Sequence, residues 1–207
     1  MKRILCAIIF GSIICSAYGQ VELKKITKKD KENSIVENYY VLKNGNNIKQ
    51  GDYKRFLNSK KIITGQYTNN RESGIWTFYD SDNSMDLKYD YDTDSVLYLD
   101  AENNTPELGR PMIYLGSLYE ARYIVFTNLR YPEAAAVNGK SGRVLIDIYI
   151  DKSGKVYDYK IQKSVYPPLD NEALRVVKLI PQKWLPAIKN GEPVESIFTF
   201  PVAFVLK

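Results

Sequence analysis

Residues 143–161, RVLIDIYIDKSGKVYDYKI, decide the fold. Val144, Ile146, Ile148 and Ile150 share one face of a period-two pattern, with Leu145, Asp147 and Tyr149 on the other, which predicts a half-buried antiparallel strand over 143–151. Asp151, Lys152, Ser153 and Gly154 supply turn chemistry, and a second alternating run follows with Tyr157, Tyr159 and Ile161, so the two runs read as a hairpin. Pro167 and Pro168 stop the second strand. Asp170 is placed to cap a helix whose Ala173, Val177 and Ile180 form one apolar stripe before Pro181 ends it. After the Asn190-Gly191 turn comes a last strand over 196–206, rich in β-branched and aromatic residues and interrupted by Pro201. Proline has no amide hydrogen for a central ladder, so this strand is expected at an edge or with a bulge. The final third of the chain thus reads as a small α+β domain, an antiparallel sheet with two or three helices.

These residues resemble, in order and spacing, the C-terminal domain of TonB, the periplasmic energy transducer for outer-membrane transporters. The pieces are Tyr131-Pro132 with Ala134 and Ala135, Gly142 and Val144 opening a strand, Asp151 and Gly154 in its turn, and Leu169-Asp170 with Ala173-Leu174 opening the helix. Trp184, Pro186 and Ala187, then Asn190-Gly191, then Pro201-Val202 with Phe204 complete the series. The resemblance implies a domain that binds the short TonB box of an outer-membrane transporter as a strand added beside its last strand. Carried over by position, the partner-binding residues are Ser196, Ile197, Phe198, Thr199, Phe200, Val202 and Phe204, together with Asn128, Leu129, Arg130 and Tyr131 before the Tyr-Pro motif. The chain departs from the transducer in two respects: it has no histidine to couple to a proton-driven motor, and it has no long proline-rich stretch.

The N-terminus reads as a secretory signal over residues 1–19. Lys2 and Arg3 precede an apolar core from Ile4 to Ile14, and Ala17 and Gly19 place small residues before a cut at Gln20. An uncleaved anchor is the variant reading. Removing Lys2 and Arg3 from the 29 basic residues leaves 27 against 24 acidic ones, a net charge of +3 that is too mild to argue for nucleic acid. Both cysteines, Cys6 and Cys15, lie inside the signal and the histidine count is zero, so the exported chain offers no thiol nucleophile, no Ser-His pair and no ordinary zinc or haem site. No cofactor is expected, and the scattered carboxylates suggest no reaction.

Residues 20–38, dominated by Lys, Glu, Asp and Asn, read as a flexible lead or a frayed edge strand. From 39 to 100 the pattern becomes a β-meander of short aromatic and β-branched runs with a weak repeat: Gly51-Asp52-Tyr53, Gly65-Gln66-Tyr67 and Gly74-Ile75-Trp76. The repeat resembles the MORN type of hairpin, and a plain aromatic core for a small sheet accounts for the same residues. Asp90, Asp92 and Asp94 have the spacing that opens a calcium loop, but Ser95 stands where that loop needs glycine and Ala101 where it needs a bidentate Glu. Residues 101–110 form a linker broken by Asn103, Asn104, Pro106 and Gly109. A helix follows, with Ser117 and Glu120 as a capping box and Tyr119, Tyr123, Ile124 and Phe126 as its apolar face, extending the C-terminal domain back to residue 111.

Two functions remain in view. One is a periplasmic protein-binding module that docks on a TonB-dependent transporter by strand addition, anchored if the signal is retained. The other is a structural or scaffolding envelope protein that forms a homodimer through its sheet edges.

Overall fold

The computed structural model describes residues 22–32, 34–45, 47–100 and 109–206. The signal segment 1–19 and most of the linker, 101–108, lie outside the described residues. Seven consecutive strands form one antiparallel sheet in sequence order. They are β1 (Leu23–Asp30), β2 (Ile35–Leu42), β3 (Lys49–Leu57), β4 (Lys60–Thr68), β5 (Arg71–Tyr79), β6 (Met85–Asp90) and β7 (Ser95–Leu99). The second half opens with β8 (Ile113–Tyr114), α1 (Leu118–Asn128) and α2 (Glu133–Val137), then the hairpin β9 (Gly142–Ile150) and β10 (Val156–Lys163), then α3 (Pro167–Val177). It closes with β11 (Trp184–Leu185), β12 (Ala187–Lys189), β13 (Glu192–Val194) and β14 (Ser196–Phe204). The protein is α+β, a long meander followed by a small sheet of order β10-β9-β14 with three helices.

The stretch read as a flexible lead or frayed edge forms an outer strand of the sheet. β1 pairs with β2 from Leu23↔Leu42 to Asp30↔Ile35, so main-chain hydrogen bonding holds a segment whose side chains are almost all exposed. Its Lys24, Lys25, Lys28 and Lys29 charge the outer edge of the sheet, a common protection against strand addition. The aromatics of the glycine repeat converge inside the meander. Tyr53 stacks on Trp76 at 5.2 Å between ring centroids, and Tyr67 meets the two edge-on at 5.4 and 5.3 Å. Such pairs add about 0.5–1.5 kcal/mol each beyond burial. Gly65 lies under the Trp76 ring, where a Cβ would come within 2.2 Å of a ring carbon, so the repeat's glycine is required by close packing. Of the Asp90, Asp92 and Asp94 series, Asp90 accepts from the Asp92 amide at 3.0 Å and Asp94 from the Tyr89 hydroxyl, so two of the three carboxylates are engaged within their own turn.

In the C-terminal half, Val144, Ile146, Ile148 and Ile150 are all buried, as their alternation predicts, and pack with Ala173, Val176 and Val177 of α3. A bulge between Val156 and Asp158 shifts the phase of β10, so Val156 turns inward and Tyr157 outward, contrary to the expected stripe of Tyr157, Tyr159 and Ile161. α3 begins at Pro167, three residues before the expected cap. Proline's fixed φ suits the first helical turn, and Asp170, inside that turn, reaches back to accept from the Val165 amide at 3.0 Å and the Ser164 hydroxyl at 2.5 Å. Gly154, at φ +83°, lies against the Trp184 carbonyl, where a Cβ would sit 2.2 Å from the oxygen.

The two halves do not separate at residue 111. Ile113 and Leu115 are buried in the meander's cluster, with Leu185 packed against it. α1 serves both cores: Ala121 and Val125 join the C-terminal core, while Tyr119 and Tyr123 pack on the meander. Phe126, expected on the buried face, is 76% exposed, because a helix clasped on two sides buries Val125 rather than its neighbour. Ser117 caps α1 by accepting from the Glu120 amide at 3.3 Å and donates its hydroxyl hydrogen to the Tyr79 carbonyl of β5 at 3.0 Å. The Glu120 side chain does not return to close a capping box. It is 5% exposed and meets Arg55 of β3 at 2.5 Å, and Arg55 lies 3.4 Å from Glu37, which accepts from the Tyr53 hydroxyl at 2.7 Å.

Burial raises the Glu120 carboxyl above the usual range, with Arg55 opposing and Glu37 adding to the rise. The fold therefore binds a proton at Glu120 more readily than the unfolded chain does, so this residue adds stability as pH falls through its folded-state value and withdraws it as pH rises. Glu120→Gln should consequently stay within about 1 kcal/mol of the native protein at neutral pH and flatten that dependence. Arg55→Ala leaves Glu120 and Glu37 without their cation and should cost about 2–4 kcal/mol. Urea unfolding at several pH values measures both.

Candidate protein-binding site

Of the residues carried over to a partner-binding role, the seven on β14 lie along one edge of the small sheet. β14 pairs with β9 over nine residues, from Ser196↔Ile150 to Phe204↔Gly142, and has no second strand beside it among the described residues. The edge position expected from Pro201 is thus observed, with Pro201 opposite Leu145. The strand's length follows from its alternation. Phe200, Val202 and Phe204 are buried in the C-terminal core with Phe198 packed against them, while Ile197, Pro201 and Ala203 face out.

Phe200, Val202 and Phe204 are spent on the protein's own core, so at those positions only the main chain is open to a partner. Ile197, 54% exposed, is the large apolar side chain that β14 leaves outside. On the same face Thr199 donates its hydroxyl hydrogen to Asp147 of β9 at 2.7 Å, and Asp147 is otherwise buried.

The segment before the Tyr-Pro motif is pinned to α3. Arg175 grips Glu172 through two nitrogens at 2.8 and 2.7 Å and also donates to the Asn128 carbonyl at 2.7 Å. Glu172 accepts from the Arg130 amide at 2.7 Å. The Arg175 hydrogen bonds, followed by that of the Arg130 amide, hold the Glu172 carboxyl below the usual carboxylate range against a partial opposing effect of burial. Leu129 closes α1 as its C-cap residue and packs against the core. Tyr131 stands edge-on to Phe204 at 5.8 Å and donates to the Lys140 carbonyl at 2.5 Å, which brings the segment to the far end of β14. Tyr131 is the residue of this segment whose ring meets β14.

Missed in the sequence was an aromatic row running from the meander junction into β14. Tyr114 of β8 lies 4.7 Å from Trp184 of β11, Trp184 lies 5.0 Å from Phe198, and Phe198 lies 6.3 Å from Phe200. The signal existed in the sequence only as isolated aromatics, because β8 and β11 are two residues each and lie about 70 residues apart in the chain.

Residues 127–206 match the family model described as Gram-negative bacterial TonB protein C-terminal. The chain carries a TonB C-terminal domain. Among solved structures, two solution structures of the Helicobacter pylori TonB C-terminal domain are similar to it: one is 28% identical, covering 44% of this chain and 80% of that one with a TM-score of 0.33. The other is 30% identical, covering 44% of this chain and 94% of that one with a TM-score of 0.32. A comparison with curated proteins finds no match. Within the TonB C-terminal domain, β14 is the last strand. Among the described residues no helix is long and apolar enough to cross a membrane, and no group of His, Cys, Asp and Glu is arranged to hold a metal ion.

The division of β14 into a core face and an outer face has a measurable consequence. Phe200→Ala is expected to lower stability by about 3–5 kcal/mol, whereas Ile197→Ser should stay within about 0.5 kcal/mol. Thermal and urea unfolding of the two variants checks it.

Proposed function

We propose that the protein is an exported envelope protein whose C-terminal domain docks on a TonB-dependent outer-membrane transporter, in support of transmembrane transport. The transporter's TonB-box segment adds as a strand beside β14. The observation that carries this reading is the edge itself: nine residues of SIFTFPVAF, uncharged, paired on one side only among the described residues in unbroken register and anchored by a buried face. An edge of this kind is a template for β-augmentation, in which main-chain hydrogen bonds supply affinity and adjoining side chains supply selection. The opposite edge of the same sheet, β10, carries Asp158, Lys160 and Lys163 and is less suited to it. A single added strand buries little surface, so binding is weak and reversible, on the order of micromolar. The role assigned is binding, with no reaction and no cofactor.

A second reading is a scaffold that self-associates through its edges. It is favoured by β7, an outer strand of the meander with no charged residue and with Leu97 and Tyr98 exposed.

Titration of the purified chain with synthetic TonB-box peptides from the same cell's transporters, followed by amide NMR, separates the two. Saturable shifts along residues 196–204 with micromolar affinity are the expected result. Unmoved β14 amides together with a dimer in solution would turn the assignment to the scaffold.

A further inference from the structure

Of the four outer strands of the two larger sheets, β1 and β10 carry lysines, while β7 and β14 carry no charge. The first residues of β14 and the meander's β6 and β7 enclose an open groove of about 400 Å³. Leu87, Ile113 and Trp184, all nearly buried, line it together with the more accessible Leu99, Met112 and Phe198. The groove therefore belongs to neither half alone, and the aromatic row Tyr114, Trp184, Phe198 runs along it into the edge strand.

Its charge is one-sided. Asp86 and Glu195 line the groove, and no lysine or arginine does. Neither carboxylate is in an ion pair among the described residues, and Glu195 has only a long contact from the Tyr157 hydroxyl, at 3.4 Å. Burial, then the neighbouring Asp80 and Asp100, raise the Asp86 carboxyl above the usual range, with Arg122 opposing in part. An apolar trough with two carboxylates that form no ion pair among the described residues selects an occupant that brings an apolar side chain and a cation together.

We propose that this groove seats an extended peptide segment carrying a large apolar residue next to a lysine or arginine, on the same partner chain that adds beside β14, so that the meander takes part in choosing the partner. The proposal rests on the reading of β14 as the docking edge for how the segment is delivered. The groove itself joins Ser196, Ile197 and Phe198 of β14 to Leu87 and Leu99 of the meander, so a strand lying on the first residues of β14 leads directly into it. Asp86 and Glu195 then meet the cation at a partly desolvated site, where a charge pair counts for more than at an open surface.

The test uses the whole chain and five synthetic probes: an acetylated heptapeptide of alternating threonine and valine, and the same peptide extended at its N-terminal or its C-terminal end by Leu-Lys or by Leu-Glu. Amide NMR reads β14, and methyl NMR reads Leu87, Leu99 and Met112. The Leu-Lys peptides should shift the groove methyls and bind roughly tenfold more tightly than the unextended one, the gain expected for burying one leucine side chain. The Leu-Glu peptides should lose part of that gain. The double variant Asp86→Asn with Glu195→Gln should weaken only the Leu-Lys peptides, roughly threefold.

Shifts in β14 without any in the groove methyls, with equal affinity for all probes, would overturn the groove while leaving the docking edge intact. Groove shifts with the Leu-Lys preference support the groove even if the β14 amides stay still, and that stillness would count against the docking edge alone. Groove shifts that track protein concentration without peptide would mean a second copy occupies it, and would overturn the proposal.

Discussion

Helix α1 has to satisfy two cores at once. Ala121 and Val125 complete the C-terminal core and Tyr119 and Tyr123 cover the meander, so both cores draw on the same helix. The same constraint explains why a carboxylate lies inside. Glu120 sits on the turn of α1 that faces β3, and Arg55 with Glu37 makes a charged seam across a boundary otherwise closed by Ile113, Leu115 and aromatic rings. Burying such a seam gains little stability, but it accepts only one alignment of helix and sheet. That alignment sets the start of β14 beside β6 and β7.

The small sheet shows how a binding edge is kept available. β9 is central and buried on one face along its whole length, and its two neighbours differ in character: β10 is bulged and charged, β14 straight and uncharged. Pro201 stands opposite Leu145 on β14, consistent with an edge position. The side chains that make β14 hydrophobic point mostly into the protein's own core, which lets the edge stay exposed without presenting a broad apolar patch.

Much of this was legible in the residues. Period-two alternation locates β9, a run of β-branched and aromatic residues locates β14, the Asp151 to Gly154 turn joins the hairpin, and Pro201 points to an edge or a bulge for β14. The meander follows from short aromatic and β-branched runs punctuated by glycine. What was not legible depended on contacts distant in sequence. The lysine-rich β1 has no apolar pattern and pairs along its whole length with β2. Glu120 looked like half of a capping box because local spacing cannot reveal that Arg55, 65 positions earlier, takes its carboxylate. Phe126 falls on the buried face only for a helix with a single apolar stripe, and α1 has two. At the candidate site, the strand was found but the split between core-facing Phe200, Val202 and Phe204 and outward Ile197 and Ala203 needed the structure, since both faces read as apolar.

The central claim is that the meander and the TonB C-terminal domain are one cooperative body joined through α1. The chain's two tryptophans fall one in each half, Trp76 in the meander and Trp184 beside β14. In Trp184→Phe and in Trp76→Phe, urea unfolding followed by the remaining tryptophan's fluorescence and by far-UV circular dichroism is expected to give coincident midpoints within each variant. A fluorescence transition separated from a two-step dichroism curve would mean that the halves unfold independently, and would contradict it.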